Sequence, residues 1–476
     1  MTYSLLVFTP IFSSALLYFA LQRAQYLIKY IALALFTLML VVSLNLLNHL
    51  PQSGYLFLGE LLSVPRFNFT LMLQVDTLSV IMLILSSLIL ILVTLSSWSV
   101  KKEGAYFSLL IMFSGAIFGV FASTNLIWFF IFWELTLAPM YFLVGIWGAE
   151  RRVYAAVKFF LYTHVASMLI LLAFFLLIKE SGQFDMSMID ESTLTSASLI
   201  WWLLFIGFAV KMPIFPFHTW LPDAHVQAPA PISVLLAGVL LKMGAYAMIK
   251  FVILLLPQSA QQYAIYMLVL GLVSLFFSAF LAIYQTHIKK IVAYSSISHM
   301  GLIVIAISTL SFSGLSAAVY EMIGHAFIIS PLFLIAGFLH HKTGSWQMKD
   351  LGGLMQKAPY LSAIFVLSGL AALGLPATMG FIGEITILIS AINANGAWIA
   401  GIALASMLSA VYIIWTFRRV IYGTLNPSIA NIDFKMHKVE FSSLLVFATL
   451  LVLFGIYPQP IFDVANQAFA HLGGVK

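Results

Sequence analysis

The sequence predicts an all-α polytopic membrane protein, on three observations. Of 476 residues, 62% are hydrophobic and only 8% are charged. The mean hydropathy is +1.07, and the few charges stand singly between apolar runs long enough to cross a bilayer. A globular domain carries roughly 25% charged residues because water must wet its surface. Sixteen acidic and twenty-two basic residues cannot coat the shells that a soluble chain of this length needs, so lipid faces most of it. The net charge of +6 therefore reports membrane orientation rather than a nucleic-acid partner.

A spanning helix needs about 20 mostly apolar residues, and fourteen such stretches are expected. They fall near 3–21, 27–47, 76–97, 105–123, 125–147, 153–178, 197–216, 230–255, 262–284, 289–309, 316–339, 359–392, 396–417 and 439–458. The first has no positive n-region and no clear small-residue cleavage site, so it is expected to be a span rather than a cleaved signal. Between the second and third, Arg66 to Val75 alternates like a short strand, which predicts a hairpin outside the membrane. No flexible linker divides residues 1–476, which are expected to form a single domain.

Sorting the bases by loop gives the orientation. Arg23, Lys101, Lys102, Arg151, Arg152, Lys289, Lys290, Lys342, Lys349, Lys357, Arg418, Arg419, Lys435 and Lys438 fall in loops on one side. Only Arg66, Lys179, Lys250 and Lys476 fall on the other. Fourteen against four places the basic loops in the cytoplasm or matrix, and both termini outside with the loop of Asp185, Asp190 and Glu191.

Two spans are expected to break. Lys211 is followed by Pro213, Pro216, Pro222, Pro229 and Pro231, and proline removes an amide donor and clashes with the preceding turn. The twelfth span contains Gly374, Pro376, Gly380 and Gly383. Non-helical backbone at membrane depth is tolerated only where it is buried or lines a wet cavity. The breaks are fourth in helices 4–8 (105–255) and fourth in helices 9–13 (262–417). Five helices is an odd number, so the second set enters from the opposite side, which predicts two inverted five-helix repeats of the kind transporters use.

Ionisable residues inside spans mark ion paths or proton relays. Glu134, Lys211, Lys242, His299, Glu321, His325 and Glu384 are of this kind. At 1.5 Å rise per residue, Glu134, His299 and His325 lie about 14–15 Å from their helix starts and Lys242 about 18 Å, near the centre of a core about 30 Å thick. Groups at one depth form a lateral chain. Burial disfavours a lysine's charge and a carboxylate restores it, so a shift of Glu134 relative to Lys211 would switch that lysine between releasing and holding a proton. Glu321 and His325 are four apart on one helix face and are expected to pair. The bland alternatives are a static Glu134–Lys211 ion pair and satisfied core histidines. His218 and His225 are expected only to order the loop near the first break, and His164, His340 and His341 to be loop or packing residues. No metal site is expected. With no cysteine, disulfides and iron–sulfur clusters are excluded. No glycine-rich nucleotide fingerprint or phosphate loop occurs, so the chain is expected to hold no cofactor and no catalytic residue of its own.

Phe132 to Gly148 (FWELTLAPMYFLVGIWG), Lys158 to Thr163 (KFFLYT), Lys211 to His225 (KMPIFPFHTWLPDAH), Leu235 to Tyr246 (LLAGVLLKMGAY), Ile288 to Gly301 (IKKIVAYSSISHMG) and Gly380 to Glu384 (GFIGE) resemble the antiporter-like subunits of respiratory complex I, over about residues 76–420. The resemblance implies a proton channel. The glutamate of FWE corresponds to Glu134, the lysine before the break to Lys211, the lysine of helix eight to Lys242, the relay histidines to His299 and His325, and the terminal group of helix twelve to Glu384. An acid at that last position favours the M type (chain 4 in mitochondria) over the L and N types. The implied protein is a proton-translocating subunit of an NADH:quinone oxidoreductase in a prokaryotic plasma membrane. Its partners would be other membrane-arm subunits and, through them, a peripheral arm, with NADH, FMN, iron–sulfur clusters and quinone in those partners. Glu321, and GLPATMG at the second break, depart from the pattern. Related chains also serve Mrp-type sodium/proton antiporters and ferredoxin-, F420- or hydrogenase-linked complexes, so these remain alternatives.

Overall fold

The structure, a computed structural model, describes residues 2–51, 54–64 and 69–470; Arg66 and Lys476 lie outside these. Helices α1 (Thr2–Ala20) and α2 (Leu27–Leu47) precede a hairpin of β1 (Leu56–Val64) and β2 (Phe69–Val75). The strands pair antiparallel with Leu56 opposite Val75, where the alternating pattern predicts a hairpin. Then follow α3 (Thr77–Ser96), α4 (Glu103–Ala122), α5 (Leu126–Trp147) and α6 (Arg152–Ser181). The seventh element is split into α7a (Ala197–Lys211) and α7b (Trp220–Gln227). Next come α8 (Ala230–Leu254), α9 (Pro257–Ile283), α10 (Ile288–Ser308) and α11 (Phe312–Thr343). The twelfth is split into α12a (Pro359–Ala372) and α12b (Met379–Asn395). The chain continues through α13 (Ile399–Ile421) and α14 (Lys438–Ile456) to a short surface helix, α15 (Gln459–Ala468).

Twelve described helices are long and apolar enough to span a membrane. The remaining two expected spans are the two that the sequence says must break. The first break begins at Met212, four residues before the expected end of that span, and its chain resumes as α7b. The second falls at Leu373–Thr378, where Gly374 and Ala377 take positive φ.

Burial sorts the helices into a centre and a rim. In α8 the whole apolar window is buried, and α10 follows closely with 94%. By contrast α1 and α2 bury only 22% and 28%, leaving Phe12, Leu16 and Val41 exposed for lipid or a neighbouring subunit. Close helix approach at the centre depends on glycine. A Cβ on Gly301 of α10 would stand 2.7 Å from the Leu275 amide nitrogen and 2.8 Å from the Gly271 carbonyl oxygen of α9.

Two bases sorted with the loops are buried instead. Lys250 near the end of α8 pairs with Asp76, and Lys289 at the start of α10 donates to the Ala228 carbonyl at 2.5 Å. A basic residue at a helix end thus marks a face of the membrane without being wetted there.

Overpacking a close contact costs about 1–3 kcal/mol. Gly301→Leu is therefore expected to lower the melting temperature of the purified protein, while Gly401→Ala, whose Cβ meets open space, leaves it unchanged. Thermal unfolding followed by fluorescence checks both.

Candidate functional site

Each break sits against a glycine that brings backbone and ionisable groups together. At the first, Gly244 of α8 faces Met212, with its would-be Cβ 2.8 Å from the Met212 nitrogen. This seats Lys211, the last residue of α7a, beside the stretch of α8 that carries Lys242. At the second, a Cβ on Gly383 would fall 2.0 Å from Oε2 of Glu321, and one on Gly374 2.8 Å from Oε2 of Glu384. At both the carboxylates occupy the space a side chain would take, so a larger residue there would displace them.

Lys242 lies on the seven-residue α-helical stretch Leu241–Ala247 between two π-helical segments of α8, Leu236–Leu240 and Met248–Leu254. Such wider turns recur at functional sites. Its Nζ donates to the Ala237 carbonyl at 2.6 Å and meets Nδ1 of His325, on α11, at 2.5 Å. The His325 ring lies 5.4 Å from that of His299, on α10, and His299 Nδ1 meets Oε1 of Glu321 at 2.9 Å. Lys242, His325, His299 and Glu321 are all buried. They form a polar row across α8, α11 and α10, in which the two imidazoles approach each other without a hydrogen bond. Nε2 of His325 and Oε2 of Glu321 have no protein hydrogen-bond partner.

His299 opens the row onto a cavity of about 220 Å³ that it lines with Glu384, Ser298, Ser409 and Tyr412 and apolar neighbours. Glu384 thus shares a wall with His299. Five of the expected residues (Lys242, His325, His299, Glu321 and Glu384) are gathered here.

One expected pairing and one bland alternative are overturned. Glu321 and His325 share a helix face, but Glu321 engages His299 on the neighbouring helix and His325 engages Lys242. Glu134 makes no salt bridge to Lys211. Its Oε2 meets Nδ1 of His164, on α6, at 2.6 Å, so His164 is a partner rather than a packing residue. Lys211 is buried, its Nζ without a protein hydrogen-bond partner and 4.9 Å from the Trp133 ring centroid. The ring face favours an ammonium there without holding it by a hydrogen bond. His164 was concealed because residues on adjacent helices have no fixed sequence spacing. His225, expected only to order the loop, is fully buried against Phe333 at 4.5 Å, with both ring nitrogens unpartnered. His218 stacks on Phe215 at 5.8 Å and His340 on Trp346 at 3.9 Å. No group of three or more His, Asp or Glu gathers as a metal site among the described residues.

Known proteins share both sequence and shape with this chain. Residues 123–409 match the family described as NADH:quinone oxidoreductase/Mrp antiporter, TM. NADH-quinone oxidoreductase subunit M of Rickettsia prowazekii is 34% identical, covering 98% of each chain. The protein of that name from Pseudomonas aeruginosa is 36% identical, covering 97% of this chain and 95% of its own. A chain of respiratory complex I from Thermus thermophilus superposes with a TM-score of 0.86 at 27% identity, over 99% of this chain and all of the other. A chain of the Mrp complex from Dietzia sp. shares the fold, with a TM-score of 0.92 at 17% identity, over 99% of this chain and 97% of its own. The chain belongs to the NADH:quinone oxidoreductase/Mrp antiporter family of membrane subunits.

Proposed function

We propose that this chain is a proton-translocating membrane-arm subunit of a complex I-type NADH:quinone oxidoreductase. The observation that carries the reading is the buried row Lys242–His325–His299–Glu321 leading to the cavity at Glu384. A charged group at the centre of a spanning helix costs about 2.5–3.5 kcal/mol on insertion scales. Replacing a buried ion pair by apolar packing is often neutral or stabilising. A row of such groups is therefore poorly explained by stability and well explained by transport.

Proton movement follows from the contacts. Lys242 gives a proton to Nδ1 of His325, and the imidazolium releases the proton on Nε2 toward His299, one ring away. His299 passes charge to the Glu321 carboxylate and faces Glu384 across the cavity. Imidazole suits this because each ring has two nitrogens and titrates near neutrality. Glu134, held by His164, and Lys211, over Trp133, form the input end. When Glu134 leaves His164 for Lys211 it holds that lysine's charge, and when it returns the proton moves on to Lys242.

No redox step belongs to this chain. It has no cysteine and so offers none of the thiolates an iron–sulfur cluster takes; NADH, FMN, clusters and quinone are assigned to partner subunits of the peripheral arm. The neighbours in the membrane are other antiporter-like subunits. Residues 105–255 and 262–417 form the two inverted repeats within one domain of 476 residues. The chain lies in a prokaryotic plasma membrane with its basic loops inside and both termini outside, as the loop charges support.

In the assembled complex in proteoliposomes, Lys242→Met and Glu134→Gln are each expected to lower NADH-driven proton translocation and quinone reduction together. The expected loss is about tenfold, the effect of about 1.4 kcal/mol of barrier; unchanged rates in both variants contradict the reading. Mass spectrometry of co-purifying chains is expected to find NADH- and iron–sulfur-binding subunits. Small antiporter subunits in their place would assign the chain to an Mrp-type antiporter. Gly383→Ala drives a Cβ into Glu321, so cryo-electron microscopy is expected to show the His299–Glu321 contact broken, with proton translocation reduced alongside.

A further inference from the structure

On the face of α8 that carries Lys242, two more polar groups follow at intervals of four residues, Tyr246 and Lys250. Four residues of helix rise about 6 Å, so these side chains climb from Lys242 toward the membrane face that carries the β1–β2 hairpin. Tyr246 is buried, and its hydroxyl shares a hydrogen bond of 2.9 Å with Oγ of Ser79, on α3. It also lies 3.4 Å from the Phe121 carbonyl oxygen. Lys250, buried in turn, pairs with Oδ2 of Asp76 and donates to the Tyr55 hydroxyl at 3.1 Å. Beyond it a cavity of about 350 Å³ is walled by Tyr55, Asp76, Thr77 and Lys250, and by Gly54 and Ser187, both of which are exposed.

Asp76 has a structural duty, since its Oδ1 caps α3 by accepting from the Ser79 amide at 2.9 Å. Capping accounts for one carboxylate oxygen. It accounts neither for the buried lysine on the other, nor for a buried tyrosine in line with Lys242, nor for a polar cavity at the end of that line.

We infer that Lys242, Tyr246 and the Lys250–Asp76–Tyr55 cluster form a proton outlet to the outer side, separate from the Glu384 cavity. This inference rests on the proposed role of Lys242. The ammonium of Lys242 releases one proton. The Tyr246 hydroxyl accepts it on oxygen while its own proton passes to the Asp76 carboxylate, which releases it into the cavity. One proton leaves the row and one reaches the outer water, with no change of oxidation state. A rise of about 6 Å between successive members exceeds a hydrogen bond, so transfer along the line runs through bridging water. The Lys250 charge beside Asp76 keeps that carboxylate from retaining the proton.

The test uses the assembled complex in proteoliposomes, reading protons translocated per NADH oxidised. Tyr246→Phe, Ser79→Ala and Asp76→Asn are expected to lower that ratio. Asn still caps a helix, so Asp76→Asn retains the cap while removing the carboxylate that pairs with Lys250. Tyr246→His, which restores a proton-carrying group, is expected to recover the ratio in part, as it would not if Tyr246 only filled space. The chain contains no cysteine, so Ser187→Cys and Thr77→Cys each give it a single thiol. Labelling of both by a membrane-impermeant maleimide from the outer side, with a fall in proton release once labelled, supports the outlet. An unchanged ratio in Tyr246→Phe and Ser79→Ala, while Lys242→Met loses translocation, overturns the outlet and leaves the proposed function standing. An unchanged ratio in Lys242→Met as well overturns both. Failure of either thiol to label from outside also overturns the outlet.

Discussion

The contact between Lys242 and His325 is the interaction on which the rest of the structure depends. A lysine buried this deeply must share its proton or lose it, because the interior offers no bulk water to solvate the charge. The Ala237 carbonyl holds one side of the ammonium and the imidazole nitrogen the other. That arrangement stabilises a proton in transit without trapping it, since imidazole is a weaker anchor than a carboxylate. The carboxylate that would trap it, Glu321, is instead placed one histidine further on.

The scaffold serves this spacing. The two π-helical segments flank the stretch that carries Lys242, and the prolines after Lys211 break α7 where Gly244 admits the loosened backbone. At the second break, Gly383 and Gly374 yield their side-chain volume to Glu321 and Glu384. Helix breaks, glycines and charges are thus one design. Each break needs buried polar company, and each charge needs a place where backbone and water can approach it.

Much of this was legible in the sequence, for physical reasons that also set the limits. Apolar run length reports spans and proline reports breaks, so the element order and both interruptions could be read directly. Depth along a helix follows from rise per residue, which is why Lys242, His299 and His325 could be placed at one level. Partners across helices could not be read. The i to i+4 rule joins Glu321 to His325 on a single face, yet which neighbour a side chain chooses depends on helix rotation and packing, and Glu321 turned to His299. His164 was hidden for the same reason, since its link to Glu134 crosses from α6 to α5. Loop sorting counted Lys250 and Lys289 as wetted, whereas both are buried, because a residue near a helix end can be covered by chain from elsewhere in the fold: Asp76 over Lys250 and Ala228 over Lys289.

The central claim is that the buried row changes its protonation when the complex turns over. Infrared difference spectroscopy of the assembled complex, poised with and without NADH, tests it most directly through the carboxylic carbonyl region. The account predicts a turnover-linked band that disappears in Glu321→Gln and persists in a control substitution at the exposed Phe12. A turnover spectrum with no carboxylic band assignable to Glu134, Glu321 or Glu384 would contradict it.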